Sequence, residues 1–165
     1  MNKLSYVGRY QRGMTLIEIL IALAITIAFI VAVLVVYNKN IKPNMYVNSK
    51  VQAFTNFVTA LDNSKELNGG AYPASSTITL PITNPSTPQQ NLIYQASGKN
   101  NPDYSGWQYT CTNNTLTIGV NVSDTTDTSL QQNVETAIAN DNSDFTCSAV
   151  SNGMFYCSKY NIVCN

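Results

Sequence analysis

The chain has 165 residues, enough for one domain of ordinary size, and its nine basic and nine acidic side chains leave no net charge. It contains no histidine, so serine or cysteine catalysis of the usual kind lacks its base, and it has no glycine-rich phosphate loop. After Gly13 there is no arginine, and six lysines accompany nine acids, a balance of 6 − 9 = −3. Without a histidine base we expect no enzymatic activity. Because phosphate contacts need clustered lysine or arginine, we expect no nucleic-acid partner either.

The first predicted element is an apolar helix at residues 14–37, composed almost wholly of isoleucine, leucine, valine and alanine. About 20 such residues cross the apolar core of a bilayer, so this segment is long enough to do so. A secretory signal peptide has an apolar core of about 7–15 residues that ends at a small-x-small site, which this longer segment lacks. Three cations before it favour a cytoplasmic N-terminus: Lys3, Arg9 and Arg12.

Glu18 is an unusual residue for the start of such a helix. A carboxylate near the end of an apolar helix can extend its charge to the membrane surface, but carboxylates within membranes are rare and usually have a partner. The nearest cation beyond it, Lys39, is 21 positions away, or roughly 30 Å along a helix. The partner of Glu18 is therefore expected to lie outside the helix that carries it.

These residues resemble the type III signal of type IV pilins and pseudopilins, which has a basic leader ending in glycine and a glutamate fifth in the mature chain. Gly13 ends the leader, Met14 becomes the new terminus, Thr15 follows, and Glu18 is the fifth residue. The resemblance implies that a prepilin peptidase cuts between Gly13 and Met14 and that the amine of Met14 is then methylated. It also implies that Glu18 pairs with the terminal amine of a neighbouring subunit, which sets the axial register of a polymer.

The resemblance implies a cleaved leader at 1–13, an apolar transmembrane and filament-core helix at 14–43, and a globular head at 44–165. The expected function is that of a structural subunit of a type IV pilus, which moves from the inner membrane into an extracellular filament for adhesion, motility or contact. The alternative is a pseudopilin of a type II secretion or DNA-uptake machine, acting in the periplasm. Expected partners are further copies of the chain or other pilins, the prepilin peptidase and the inner-membrane assembly platform. Met14 in place of phenylalanine and the cysteine-bearing C-terminal region indicate the type IVb branch.

The helix is predicted to continue to about Leu67, where an Asn-Gly-Gly sequence stops it, and Pro43 is predicted to bend it. Its second half is amphipathic. The predicted buried stripe comprises Val47, Val51, Phe54, Val58 and Leu61.

Beyond Gly70 the composition favours strands and loops. Residues 76–81 and 91–97 are predicted as strands, with a loop at 82–90 between them. Residues 107–122 are predicted as a hairpin that turns at Asn113-Asn114. In its second strand, alternation places one set of residues toward the helix: Leu116, Ile118, Val120 and Val122. Residues 127–140 are predicted as a short helix capped by Asp127 or Thr128.

The last predicted hairpin turns at residues 151–153 and bears on the cysteines. An even number of cysteines in a membrane-attached domain indicates two disulfides in an oxidising compartment, with free thiols as the alternative. A three-residue turn places Cys147 opposite Cys157, whereas a two-residue Asn-Gly turn misses that pairing by one position. The first register favours Cys147–Cys157 with Cys111–Cys164, but four cysteines permit three connectivities.

No metal or other cofactor is expected. The cysteine spacing matches no common zinc site, and four acids near the short helix match no calcium loop, so they are interpreted as solvated loop residues. These acids are Asp124, Asp127, Asp141 and Asp144. The predicted fold class is α+β, with a long N-terminal helix packed on an antiparallel sheet and a disulfide-tied C-terminal region.

Overall fold

The structure is a computed structural model, and it describes residues 15–99 and 101–165. The chain forms two compact units, with the boundary between Lys42 and Pro43. The α+β fold class is confirmed: helices and one five-stranded antiparallel sheet are present, with two disulfides in the C-terminal region.

In its described part, the N-terminal unit is helical from Leu16 onward. Helix α1 covers Leu16–Val36 and is followed directly by a π-helix at Tyr37–Ile41. In the π-helix the Lys42 N–H donates to the carbonyl of Tyr37, five residues back rather than four. The irregularity that the sequence predicted at Pro43 therefore begins in the turn before that proline, whose ring nitrogen cannot donate to the carbonyl of Lys39.

Helix α2 covers Lys42–Leu67, and its buried residues form part of the hydrophobic core of the head. Phe54 and Leu61 are fully buried as predicted, but Val47 and Val58 are only partly buried. Phe57 was missed from the predicted stripe and is fully buried, and Ala53 is buried beside it. The buried face is wider than a single line of residues, because a helix that lies on a sheet buries a stripe of about 100° or more.

The sheet has the strand order β1-β2-β3-β5-β4, and all neighbouring strands are antiparallel. The strands are β1 Ser75–Thr79, β2 Gln108–Thr112, β3 Thr115–Asn121, β4 Thr146–Cys147 and β5 Met154–Tyr160. The predicted β2–β3 hairpin is confirmed, with Asn113 at φ 50° and Asn114 at φ 60°. The residues predicted to face the core, three in β3 and Val122 directly after it, are all fully buried.

Aromatic side chains from α2 and from the segments just before β2 and β4 form the centre of the core. The ring of Phe54 lies 5.3 Å from that of Phe145 and 6.4 Å from that of Trp107, measured between centroids. Tyr104 contacts both Trp107 and Phe57. The Phe54–Phe145 and Tyr104–Trp107 pairs are edge-to-face, an arrangement that stabilises the head beyond the burial of the ring area.

The prediction of a strand at 91–97 is wrong, because these residues belong to helix α3, Pro88–Ala96. The prediction of a loop at 82–90 is wrong at its end for the same reason. Thr87 caps this helix by accepting from the N–H of Gln90, and Pro88 occupies the first helical position. A capping threonine followed by proline was the sequence signal that should have outweighed the short apolar run.

Helix α4, Thr128–Asp141, agrees with its prediction. The cap is Asp127, whose carboxylate accepts from the N–H groups of Ser129 and Leu130 at 3.0 and 3.2 Å. Val134 and Ile138 are fully buried and fix the helix to the core.

The β4–β5 hairpin combines the two registers that the sequence analysis treated as alternatives. Its turn is the two-residue Asn152-Gly153, closed by hydrogen bonds between Ser151 and Met154. Cys147 nevertheless lies opposite Cys157. Four positions separate Cys147 from Ser151, but three separate Met154 from Cys157, so one extra residue bulges on the β4 side.

Two disulfides join Cys111 to Cys164 and Cys147 to Cys157, the pairing that the sequence analysis favoured. The first fixes the C-terminal residues to β2. Next to it, the Tyr72 N–H donates to the carbonyl of Val163, and Asn165 bonds to both Tyr72 and Ala74. The C-terminal segment is thus held by covalent and backbone bonds together.

Candidate functional site

The N-terminus of α1 carries a reciprocal pair of hydrogen bonds between Thr15 and Glu18. The Glu18 N–H donates to Thr15 Oγ1 at 3.4 Å, and the Thr15 N–H donates to Glu18 Oε2 at 2.8 Å. This capping box satisfies two of the backbone donors that the first turn of a helix leaves free. The capping box was not predicted from sequence, although threonine followed three positions later by glutamate is its known signature.

The capping box determines where the charge of Glu18 lies. Its carboxylate is folded back onto the backbone nitrogen that directly follows Met14, at the positive end of the helix dipole. Gly13 and Met14 lie outside the described residues, so cleavage between them and methylation of Met14 stay predictions. The role of Glu18 in subunit registration is likewise a prediction.

The rest of α1 is an apolar surface. Every residue of the helix is exposed, and Glu18 is the single charged side chain in this fully described segment. The helix is long and apolar enough to cross a membrane. A contiguous apolar surface of this extent marks a membrane or protein contact.

Three of the four acids considered for calcium binding have other partners in the head. Asp124 forms a salt bridge with Lys50 at 3.1 Å, Asp127 caps α4, and Asp144 lies 3.0 Å from Lys159. Asp141 is exposed in the last turn of α4. Within residues 15–99 and 101–165, no group of three or more acids, histidines or cysteines is arranged to hold a metal ion.

A small polar cluster fastens α2 to the loop after β3. Asp124 accepts a hydrogen bond from the Tyr46 hydroxyl, and Lys50 donates to the carbonyl of Asn121 at 3.3 Å. Burial opposes ionisation of Asp124, but the hydrogen bonds from Tyr46 and Lys50 and the charge of Lys50 outweigh it, so the pKa of Asp124 is lowered. Burial and the neighbouring carboxylate raise the pKa of Tyr46. The cluster therefore keeps a neutral phenol beside a carboxylate and an ammonium.

Comparison with protein families gave a match at the N-terminus. Residues 8–36 match the family model of the prokaryotic N-terminal methylation motif. The searches of curated proteins and of solved structures each found no match to the chain. The matched residues include Gly13, Met14 and Glu18, and they extend through α1.

The motif, the exposed apolar helix and the glutamate at its start agree with one another. They are consistent with anchoring in a membrane before assembly, and the motif implies processing by a prepilin peptidase. The motif does not distinguish between assembly systems, and the match ends before the head begins. The chain therefore carries a type IV pilin-like prepilin signal, which supports its being a type IV pilin or a pseudopilin.

Proposed function

We propose that the chain is a structural subunit of a type IV pilus, which polymerises through its N-terminal helix into an extracellular filament. The observation that carries the proposal is the position of Glu18: a single carboxylate, folded onto the helix start, in a segment otherwise uncharged and exposed. The filament would serve adhesion, motility or contact with surfaces. Its partners would be further copies of the chain or other pilins, and the inner-membrane assembly platform.

Cleavage after Gly13 would supply the missing partner of Glu18. Methylation leaves an amine charged, so Met14 would carry a cation at the end of the mature helix. Within an apolar bundle an unpaired charge costs several kcal/mol, and an opposite charge from a neighbouring helix offsets much of this. Two subunits would therefore be most stable at the axial position that brings Glu18 of one to Met14 of the other.

The capping box is compatible with such a contact. A carboxylate offers about four acceptor positions on its two oxygens, and the bond from the Thr15 N–H uses one of them. Glu18 could then accept from the amine of a neighbour while it still caps its own helix. The Glu18 side chain would then keep the same rotamer before and after assembly.

The test replaces Glu18 by glutamine, because glutamine also closes a capping box but carries no charge. Glu66→Gln, an exposed acid in the last turn of α2, is the matched control. We expect Glu18→Gln to be cleaved and methylated normally, by mass spectrometry of the intact chain. Sheared filaments should fall at least about tenfold, since a lost buried pair costs several kcal/mol. Normal filament yield from Glu18→Gln would refute the role proposed for Glu18.

Electron microscopy of cells without the gene tests the filament itself. Loss of all pili would identify a major subunit, whereas intact pili with failed secretion or DNA uptake would identify a pseudopilin instead. We also propose that the head has no catalytic role. The two electron-microscopy outcomes are independent of this second proposal.

A further inference from the structure

The sheet has one face packed on the core and one outer face. The outer residues alternate with the buried ones along each strand, and apart from Met154 their side chains are short, polar or aromatic. They are Thr77, Thr79, Gln108, Thr110, Thr112, Thr115, Thr117, Gly119, Asn121, Thr146, Met154, Tyr156, Ser158 and Tyr160. These residues, all within the described part of the chain, define the outer face, and none of them carries a charge at neutral pH.

One tyrosine lies flat on this face, above a glycine. Gly119 is paired with Tyr156, and a Cβ placed on Gly119 would lie 2.9 Å from Tyr156 Cε1. The ring therefore occupies the space that any other side chain at position 119 would fill. Its hydroxyl donates to Gln108 Oε1 at 3.2 Å, which fixes the ring from its far end. Tyr156 is nevertheless 42% exposed, so one face of the ring remains open to solvent.

A row of hydroxyl groups runs across the strands next to this ring. Thr110 pairs with Thr117, and Thr117 pairs with Ser158. The Thr110 hydroxyl donates to Thr77 Oγ1 at 2.9 Å, and Thr117 and Ser158 share a hydrogen bond of 3.0 Å. Each hydroxyl has one donor and two acceptor positions, so these bonds leave part of the row free to bind a ligand.

A second exposed tyrosine lies on the other side of the row. Tyr160 is 58% exposed and stands four positions after Tyr156 on β5, which corresponds to about 13 Å along a strand. Ser158 lies between the two on the same face. The outer face thus presents two aromatic rings with hydroxyl groups between them.

From this arrangement we infer that the outer face binds a neutral oligosaccharide, with one sugar ring packed on Tyr156 and sugar hydroxyls bonded to the Thr117–Ser158 row. The C–H groups of a sugar carry partial positive charge and pack against the negative face of an aromatic ring. Its hydroxyls act as donor and acceptor at once, as do those of the row. Without a cation or an anion on the face, a charged glycan gains no specific contact. This inference does not depend on whether the chain polymerises.

A protein surface is a poorer match than a sugar. The centre of a stable protein interface is usually apolar, and the fourteen residues that define the outer face include one aliphatic side chain, Met154, which lies at the end of β5. A second copy of the chain would also place one hydroxyl row against another, with few apolar contacts to exclude water. A sugar has hydroxyl groups on its edge and C–H groups on its face, which is the combination that the sheet presents.

The test measures binding of the full chain, purified in a detergent without a sugar headgroup, to immobilised maltohexaose, cellohexaose and chitohexaose, with dextran sulfate as the polyanion. We expect binding to at least one neutral sugar, unchanged by added salt. Tyr156→Ala should weaken binding at least about tenfold. Gly119→Ala leaves Tyr156 in the chain but pushes its ring out of position, so it should also weaken binding. Thr117→Val removes a hydroxyl but keeps nearly the same side-chain shape, and it should also weaken binding. Tyr94→Ala, a partly exposed tyrosine on α3, is the matched control.

Fluorescence of Trp107, the one tryptophan, shows whether each variant is folded. Absence of binding to all three neutral sugars overturns the inference, as does binding that Tyr156→Ala and Thr117→Val leave intact. Binding to dextran sulfate alone, abolished by salt, would instead indicate a polyanion site. A photo-crosslinker at position 156 that joins two copies of the chain would indicate a subunit interface, and would also overturn it.

Discussion

Replacement of both cysteines of one disulfide by alanine should destabilise the head by an amount set by the length of the closed loop. Cys111–Cys164 spans 53 positions and Cys147–Cys157 spans 10. In the chain-entropy description, the crosslink removes about 2.1 + 1.5R ln n cal/mol/K from the unfolded state. At 25 °C this gives about 4 kcal/mol for the longer loop and about 2.7 kcal/mol for the shorter one.

The two pairs are good controls for each other, because the loss of packing is similar. Each pair has one fully buried cysteine, Cys111 or Cys157, and one partly buried partner. The backbone bonds that hold the C-terminal segment to Tyr72 remain in the variant without Cys111–Cys164. If these bonds loosen as well, the longer loop loses still more, so the order of the two variants is unaffected.

The assay is urea unfolding of the full chain in detergent, followed by the fluorescence of Trp107 in the head's core. We expect the free energy of unfolding to fall by about 1.5 kcal/mol more for Cys111→Ala with Cys164→Ala than for Cys147→Ala with Cys157→Ala. Equal losses, or a larger loss for the 10-position loop, would show that loop closure does not set the contribution of these disulfides.

Two further predictions concern the head. Phe57→Ala should lower the free energy of unfolding by about 3–5 kcal/mol, because Phe57 is fully buried. Val58→Ala, at a partly buried position, should lower it clearly less. Similar losses for the two variants in urea unfolding would contradict the observed buried face of α2. Asp124→Asn should destabilise the head at pH 7, because the folded-state pKa of Asp124 is lowered and its ionised form is the stabilising one. That stabilisation is present above the unfolded pKa near 4 and is lost as the pH falls through the folded value, so the two chains should converge in acid. A constant difference between them from pH 7 to pH 2 would refute this origin.

The parts of the fold predicted from sequence are those specified by neighbouring residues. The β2–β3 turn was evident because Asn113 and Asn114 both tolerate the positive φ that the turn requires. Helix α4 was evident because Asp127 is a strong cap at the start of a helical apolar pattern. In each case the local preference and the final packing agree, so no knowledge of the rest of the chain was needed.

Other parts depend on contacts that are distant in sequence or on signals that compete locally. At residues 91–97 a short apolar run fits a strand or a helix equally well, and the cap at Thr87 decides for the helix. Phe57 is buried because the sheet and Tyr104 cover that side of α2, which the spacing along one helix does not show. At the candidate site, Glu18 was singled out from sequence as a residue that needs a partner outside its own helix, which stays a prediction, and its bond with Thr15 was missed.

In the hairpin of β4 and β5, the two-residue turn and the Cys147–Cys157 pairing were treated as mutually exclusive, but both are present. The Asn-Gly turn favours a two-residue loop, since Asn152 at φ 52° and Gly153 at φ 72° suit its backbone. The disulfide needs Cys147 and Cys157 opposite each other, and their Cα atoms lie 4.0 Å apart. A regular ladder cannot satisfy both, but one extra residue between Ser148 and Ser151 shifts the register between turn and disulfide. Because β4 is an edge strand of two residues, the bulge disturbs little pairing, and both local preferences are met in one structure.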